Sequence, residues 1–411
     1  MAHTLLYIMG FILLLNFGLE TVLEILNLQH SKQALPPALK DIYDEKKLQR
    51  SRDYEHTQVT FDLFSSTFFL VILIVFLFSG GFAKVDSWVR HVSDSEIVIC
   101  LLFFGILFLM ADLINLPFVL YHTFGIEEKF GFNKTNVRTF IGDKFKSYLL
   151  GILMGGSLIT IFLLFYEWAG NHFWWLTWIF ISFFSVVFSM FYAQWIIPLF
   201  NKLTPLPEGD LREAIVTYCA KNDFTLKDLY VMDGSRRSAK ANAFFSGLGD
   251  KKTIVLYDTL IQNHTTKEIV AVLAHEIGHF KKKHTRTGII LSVFQSGIML
   301  YLLSLFIKNP EFSYALGSSV PSVHLSLISF ALLYSPITEI LAVFMNKVSR
   351  MNEYEADAYA AETYDARALA EALKKLSANN LSNINPHPAY VSFHYSHPTL
   401  YQRLSKLNQI T

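Results

Sequence analysis

The chain has 411 residues, of which 52% are apolar, 15% aromatic and only 17% charged; soluble domains carry about 25% charged residues, so the composition argues for membrane spans. Thirty-five Lys and Arg against 34 Asp and Glu leave a formal net charge of +1, which gives no electrostatic case for a nucleic-acid partner. Two cysteines, Cys100 and Cys219, exclude a disulfide framework and read as plain reduced residues.

The opening stretch MAHTLLYIMGFILLLNFGLETVLEIL has no Lys or Arg ahead of its apolar run and no small-x-small cleavage site. It reads as a retained first span. A bilayer needs about 20 apolar residues per helix, and about seven runs qualify: near 4–27, 62–83, 97–121, 148–166, 173–200, 287–307 and 323–345. Glu20 and Glu24, Asp112 with Asn115, Gln295, and Glu339 interrupt these runs. Two readings stay open for them, hydrogen bonding between helices and a water-filled interior. The first connection carries Lys32, Lys40, Lys46, Lys47, Arg50 and Arg52, and the third Lys129, Lys134, Arg138, Lys144 and Lys146. The fourth connection has no basic residue and the sixth only Lys308. By the positive-inside tendency the odd connections and the carboxyl tail face the cytosol and the amino terminus faces out. Trp174, Trp175 and Trp178 then mark the outer interface.

The chain divides on this reading into spans one to five with their loops (1–200), a first polar region (201–286), spans six and seven (287–345) and a second polar region (346–411). Asn201-Lys-Leu-Thr-Pro-Leu-Pro opens the first polar region with turn formers. A helical segment, EGDLREAIVTYCAKNDF, follows, then two β-like runs, DLYVMD and KTIVLYD. Gly249-Asp250 between them is a hairpin turn in expectation. No internal repeat or low-complexity tract is present.

Thr265-Thr-Lys-Glu268 has the spacing of a capping box and predicts a helix start. On that helix His275 and His279 are four residues apart and project from one face, so both imidazoles can reach one metal ion. Glu276 lies around the same face, where it can take a proton from an activated water without being a ligand. In a chain with 14 histidines, His-Glu-x-x-His arises by chance roughly once in fifty such sequences. Two histidines on a solvated helix face is the plain alternative. A metzincin pattern needs Gly and His where the chain has Lys282 and Thr285. His284 is expected to point off the shared face as a surface residue, so a distant carboxylate is the better third ligand. The stretch SRMNEYEADAYAAE offers Glu353 and Asp357, four apart on one helical face. Glu353 can complete a zinc site, and Asp357 can accept the second N–H of a ligand imidazole. Glu355 reads as solvated, and an ordinary amphipathic helix is the alternative for the whole stretch.

The spans together with HEIGHF, EYEAD, RRSAKANAFFSG and HYSHPTLYQRL resemble the type I CAAX prenyl endopeptidases, a-factor-converting, gluzincin-like integral-membrane zinc metalloproteases related to the heat-shock protease HtpX. The likeness extends to FGIEEKFGFNKTN and WIIPLFNKLTPLPEG. It implies a mainly α, polytopic membrane fold in which about seven helices enclose a hydrated chamber, capped on the cytosolic side by a zinc-protease domain with a small β-hairpin or sheet. It also implies one zinc ion per chain on His275, His279 and Glu353, with Glu276 as catalytic base. Asn242, Ala243 and Phe244 match an edge strand that pairs with the peptide substrate. His397 matches a residue that steadies the oxyanion, and Arg403 is expected to pair with Asp357; packing of the tail is the alternative for both. His387 and His394 match no family position.

The implied substrate is a peptide or protein with a prenylated CAAX-type carboxyl end, and the implied partners are that substrate and the lipid bilayer, with oligomeric state undetermined. A tail ending LSKLNQIT, without a dilysine-type signal, keeps open a bacterial homologue acting in membrane-protein quality control with no prenyl requirement. The membrane would be of endoplasmic-reticulum type in a eukaryote and the inner or plasma membrane in a bacterium. A metal transporter or non-catalytic receptor is a third reading, disfavoured by Glu276, since metal binding alone has no use for a base beside the histidines.

Overall fold

The computed structural model describes residues 1–36, 39, 40, 42, 44–246 and 252–410. The Gly249-Asp250 turn lies outside them. Helix α1 (Ala2–Ser31) packs on α2 (Glu45–Phe78), which begins at an Asp44 cap whose side chain accepts the Lys47 N–H at 2.7 Å. Gly80, at φ +67°, breaks the chain into α3 (Gly81–Arg90). Then come α4 (Glu96–Tyr121), which unwinds into a π-helical turn at His122–Glu127, α5 (Val137–Leu150), α6 (Gly156–Ala169), α7 (Phe173–Trp195) and the short α8 (Ile197–Phe200).

Among the described residues six helical stretches are long and apolar enough to cross a bilayer: Ala2–Ser31, Glu45–Phe78, Glu96–Glu127, Val137–Phe200, His284–Phe306 and Val323–Asn379. The fourth doubles back at Gly170, whose φ is +57°. Phe165 and Phe180 have ring centroids 6.2 Å apart across that bend, where a straight helix would separate them by about 22 Å. The apolar runs at 148–166 and 173–200 are therefore two separate passes inside one stretch. Trp178 is turned inward, donating its indole N–H to the Val293 carbonyl at 2.7 Å, rather than only marking an interface.

Several of the polar interruptions find partners. The Tyr390 hydroxyl donates to Glu24 at 3.0 Å, His394 lies 3.2 Å from Glu20, and Asp112 is bonded by Lys144 and Tyr148. Satisfying a polar group inside a bundle is what keeps such a residue tolerable there.

Beyond α8 the chain forms β1 (Leu203–Pro205), α9 (Asp210–Lys221), β2 (Leu226–Met232), β3 (Ala243–Ser246), β4 (Lys252–Tyr257), α10 (Asp258–Asn263) and α11 (Thr266–Lys281). The sheet order is β1-β2-β4-β3. β2 and β4 are parallel neighbours, and β3 is antiparallel to β4 at the edge, the two strands lying on either side of residues 247–251, where the sequence places its turn. Leu203–Pro205, read from sequence as turn formers, instead pair with Tyr230–Met232 as the other edge.

The chain continues through α12 (His284–Phe306), α13 (Glu311–Ala315), α14 (Val323–Ala360), α15 (Ala366–Asn379), α16 (Pro388–His394) and α17 (Leu400–Ile410). Two boundaries shift as a result. The expected limit at 286/287 falls inside α12, and that at 345/346 falls inside α14, which carries the last span and Glu353 on one unbroken helix. The histidine helix, by contrast, does not run on into a span. It ends at Lys281, Lys283 takes a left-handed conformation (φ 63°, ψ 25°), and α12 starts anew at His284.

A core of Ile215, Ile254, Leu256, Leu260, Ile269, Leu273, Ile277 and Leu369 joins the sheet to α9, α11 and α15. Each such side chain contributes roughly 1.5–3 kcal/mol on burial. Gly278 sets how closely α11 crosses α14: a Cβ there would meet the Ala356 Cα at 3.0 Å and its carbonyl oxygen at 3.1 Å. The small pair Gly278 and Ala356 brings the two helices together where their polar residues meet.

Candidate active site

Helix α11 is fixed at its start by reciprocal bonds. The Thr265 N–H donates to Glu268 at 2.9 Å, and the Glu268 N–H donates to the Thr265 hydroxyl. Lys375 of α15 holds the same carboxylate at 2.7 Å. Ile269, Val270, Leu273, Ala274 and Ile277 bury one face, so the helix presents His275, Glu276 and His279 on the other. From α14, Glu353 and Asp357 reach across the Gly278 crossing, and from the carboxyl tail come His397 and Arg403.

Three side chains converge on one point. His275 Nε2 lies 3.2 Å from His279 Nε2 and 3.3 Å from Glu353 Oε2, while His279 Nε2 lies 3.2 Å from Glu353 Oε1. Four ligands at the vertices of a tetrahedron with bonds of about 2.0–2.1 Å stand about 3.3 Å from one another. The donor set therefore has the spacing of one zinc-sized ion, and among the described residues it is the group that could hold one. Glu353 Oε2 is buried and accepts no hydrogen bond, with the Arg403 guanidinium 3.5 Å away but not aligned on it, so its lone pair stays available to a metal ion.

A second layer holds these donors. Asp357 Oδ1 lies 2.8 Å from His275 Nδ1, so the imidazole proton sits on Nδ1 and the Nε2 lone pair faces Glu353. Arg403 grips Asp357 with two bonds, Nε at 2.8 Å and Nη2 at 2.6 Å, and its Nη1 comes within 3.5 Å of Glu353. Burial alone would raise both carboxyls. The contacts of His275, His279 and Arg403 outweigh it for Glu353, and those of Arg403 and His275 for Asp357, and both lie below the usual carboxylate range. Burial and Arg403 push His275 down, yet Asp357 and Glu353 carry it up to about 9.

Glu276 lines a cavity of about 430 Å³ with Phe244, His279, His284, Leu291, Met345, Val348 and Asn352 among its walls. Burial raises its pKa, and the neighbouring histidines only partly oppose the rise. A carboxyl whose ionised form is disfavoured by burial is a stronger proton acceptor than an exposed one. His397 Nε2 is 3.3 Å from Glu353 Oε1, its other nitrogen is 2.9 Å from the Ser396 hydroxyl, and its side chain is 61% exposed on the open side. β3 has one strand partner among the described residues, so its outer edge is free. Asn242 precedes it with its side chain accepting the Ala243 N–H at 2.8 Å, and Phe244 faces the same cavity as Glu276.

His284 is not a surface residue. It is buried, its Nδ1 is 3.0 Å from His279 Nδ1, and its Nε2 is 3.1 Å from Glu355, which is correspondingly partnered rather than merely solvated. An uninterrupted helix would have carried it away. The left-handed Lys283 turns it back, and the run Lys281-Lys-Lys gives no sign of a break. His387 caps α16, and His394 pairs with Glu20.

Residues 24–202 match the family model described as CAAX prenyl protease N-terminal, five membrane helices, and residues 205–411 match that of peptidase family M48. The chain belongs to peptidase family M48. This M48 protease is 34% identical over 423 residues to CAAX prenyl protease 1 of Saccharomyces cerevisiae, covering 96% of this chain and 93% of that one. It is 36% identical to the probable CAAX prenyl protease 1 of Schizosaccharomyces pombe, over 92% and 82% of the two chains. Its fold matches the crystal structure of S. mikatae Ste24p with a TM-score of 0.94 at 33% identity, covering 98% and 99% of the chains. The M48 protease is a multi-pass membrane metalloprotease with a helical bundle and a small mixed sheet, and the transporter or receptor reading falls away.

Proposed function

We propose that this metalloprotease is a zinc endopeptidase that cuts peptide bonds near the carboxyl end of prenylated CAAX-type proteins, working at the cytosolic face of an endoplasmic-reticulum-type membrane. The observation that carries the chemistry is the spacing of His275, His279 and Glu353 donors at 3.2–3.3 Å, with Glu276 opening onto the cavity that also touches Phe244. The substrate class is supported by relatives that are named CAAX prenyl proteases and that match nearly the whole chain. The cytosolic side follows from the basic first and third connections.

In this mechanism His275, His279 and Glu353 would hold the ion, and Asp357 keeps His275 in the tautomer whose Nε2 lone pair is available. Zinc, when bound, supplies Lewis acidity toward a water and toward the scissile carbonyl. Arg403 offsets the charge of Asp357 and Glu353 together. The free edge of β3, from Asn242 through Phe244, aligns the peptide by main-chain hydrogen bonds. Glu276 takes the proton of the attacking water and returns it to the leaving amine. The imidazole of His397, on the open side of the cluster, donates to the oxygen that becomes negative as the carbonyl is attacked.

The test is cleavage by the detergent-purified or liposome-embedded protein of a farnesylated carboxyl-terminal peptide and its unprenylated twin, with Glu276→Ala as blank. Cleavage of the farnesylated peptide alone is expected. Equal cleavage of both would end the prenyl assignment and leave the broader quality-control activity.

A further inference from the structure

We infer that His284 is a positioning residue for the metal site, the middle member of a relay Glu355–His284–His279 that sets the tautomer of His279. The inference rests on the metal site of the proposed function and concerns how one of its donors is made available.

The two histidines of α11 have different neighbours. His275 Nδ1 is addressed by a carboxylate, Asp357, at 2.8 Å. His279 Nδ1 is addressed by a nitrogen, His284 Nδ1, at 3.0 Å. Between two ring nitrogens only one proton can lie, so one donates and the other accepts. The far side of His284 suits one of the two orders. Its Nε2 lies 3.1 Å from Glu355 Oε2, an acceptor on the side of His284 away from His279. An imidazole that offers Nε2 to a metal keeps its proton on Nδ1, so His279 donates from Nδ1 to His284 Nδ1, and His284 donates from Nε2 to Glu355. That leaves His279 Nε2 unprotonated, pointing at His275 and Glu353, which is the form a metal ion needs. The opposite assignment would place the proton on His279 Nε2 and close that position.

The backbone supports a built arrangement. Lys283 adopts a left-handed conformation that L-residues seldom take, and it is this turn that places His284, five residues on, against His279. His284 is buried, whereas Glu355 remains 57% exposed, so the relay begins at the surface and ends at the donor set. An imidazole in this place does what a carboxylate does for His275 without adding a second negative charge beside Glu353 and Asp357.

The experiment titrates zinc into metal-stripped, full-length protein in detergent against a chromophoric chelator, for the wild type, His284→Ala, His284→Gln, Glu355→Ala and His275→Ala. His284→Ala is expected to raise the apparent zinc Kd about 10–100-fold, and His284→Gln, whose amide oxygen can accept from His279, to recover most of that loss. Glu355→Ala is expected to cause a smaller rise. Thermal unfolding of the metal-free proteins and the visible spectrum of their Co2+ forms accompany the titration. A changed Co2+ spectrum with an unchanged metal-free Tm is expected of His284→Ala. The relay is overturned if His284→Ala binds zinc like the wild type, or if the Ala and Gln variants are equally weakened. Should His284→Ala fail to fold, Glu355→Ala decides, and wild-type affinity there overturns the relay. His275→Ala tests the metal site itself: undiminished zinc binding in that variant would remove the proposed site, whatever the His284 variants show.

Discussion

Two helices meet at the candidate active site, and they are held by opposite means. α11 is 16 residues long, starts at a reciprocal cap and buries one apolar face against the sheet and α15. α14 is 38 residues long, begins in a stretch long and apolar enough to cross a bilayer, and carries Glu353 and Asp357 in its last three turns. The first is placed by local chemistry within the polar domain, the second by a membrane span. What joins them is a backbone crossing at Gly278 and Ala356 and the shared polar cluster above it. The comparison teaches that the donor set is completed only where a domain and a span agree in position.

The division can be broken most severely at the chemistry itself. Glu276→Ala should cost about 10²–10⁴-fold in kcat while zinc content stays near one per chain; activity near the wild type would take the general-base role away. Glu353→Ala removes the only donor that α14 contributes. Zinc content in purified protein should fall well below one per chain, and full occupancy would move the third donor elsewhere. Asp357→Asn leaves α14 in place but weakens the hold on His275, and zinc affinity measured by chelator competition should fall about 10–100-fold. At the crossing, Gly278→Val forces side-chain atoms onto the Ala356 backbone and should cost about 1–3 kcal/mol. A Tm equal to wild type would show that the helices can part without loss. Smallest is Thr265→Ala, which removes one half of the α11 cap. About 1 kcal/mol of stability should go with zinc affinity unchanged, because the cap lies at the other end of the helix from His275 and His279.

The sequence declares α11 because its signals are local: a capping spacing, an apolar stripe and two histidines four apart are all read within one helix. Glu353 and Asp357 are legible for the same reason, as a pair on one face. The edge position of Asn242, Ala243 and Phe244 came from the family likeness, since a strand's neighbours are set by distant residues. Three features escaped. Lys283 bends the chain left-handedly although lysine carries no preference for that conformation, so His284 was misplaced. The parallel pairing of β2 with β4 joins strands about 25 residues apart, and such a non-local pairing leaves no local signal in either run. Leu203–Pro205 form an edge strand despite two nearby prolines, which an edge position tolerates because one side needs no N–H donors.

The continuity of α14 has a mechanical meaning. From Val323 to Glu353 there are some thirty helical residues, interrupted in character only by Pro336, which makes an arm of about 45 Å. One degree of rotation about its foot moves the carboxylate at its tip by about 0.8 Å, more than the roughly 0.5 Å within which a catalytic constellation must be held. Spans tilt to accommodate the thickness of the bilayer around them. Arg403, gripping the tip through Asp357 and Glu353, is therefore a brake as well as a counter-charge, steadying against the domain an arm whose other end answers to the lipid.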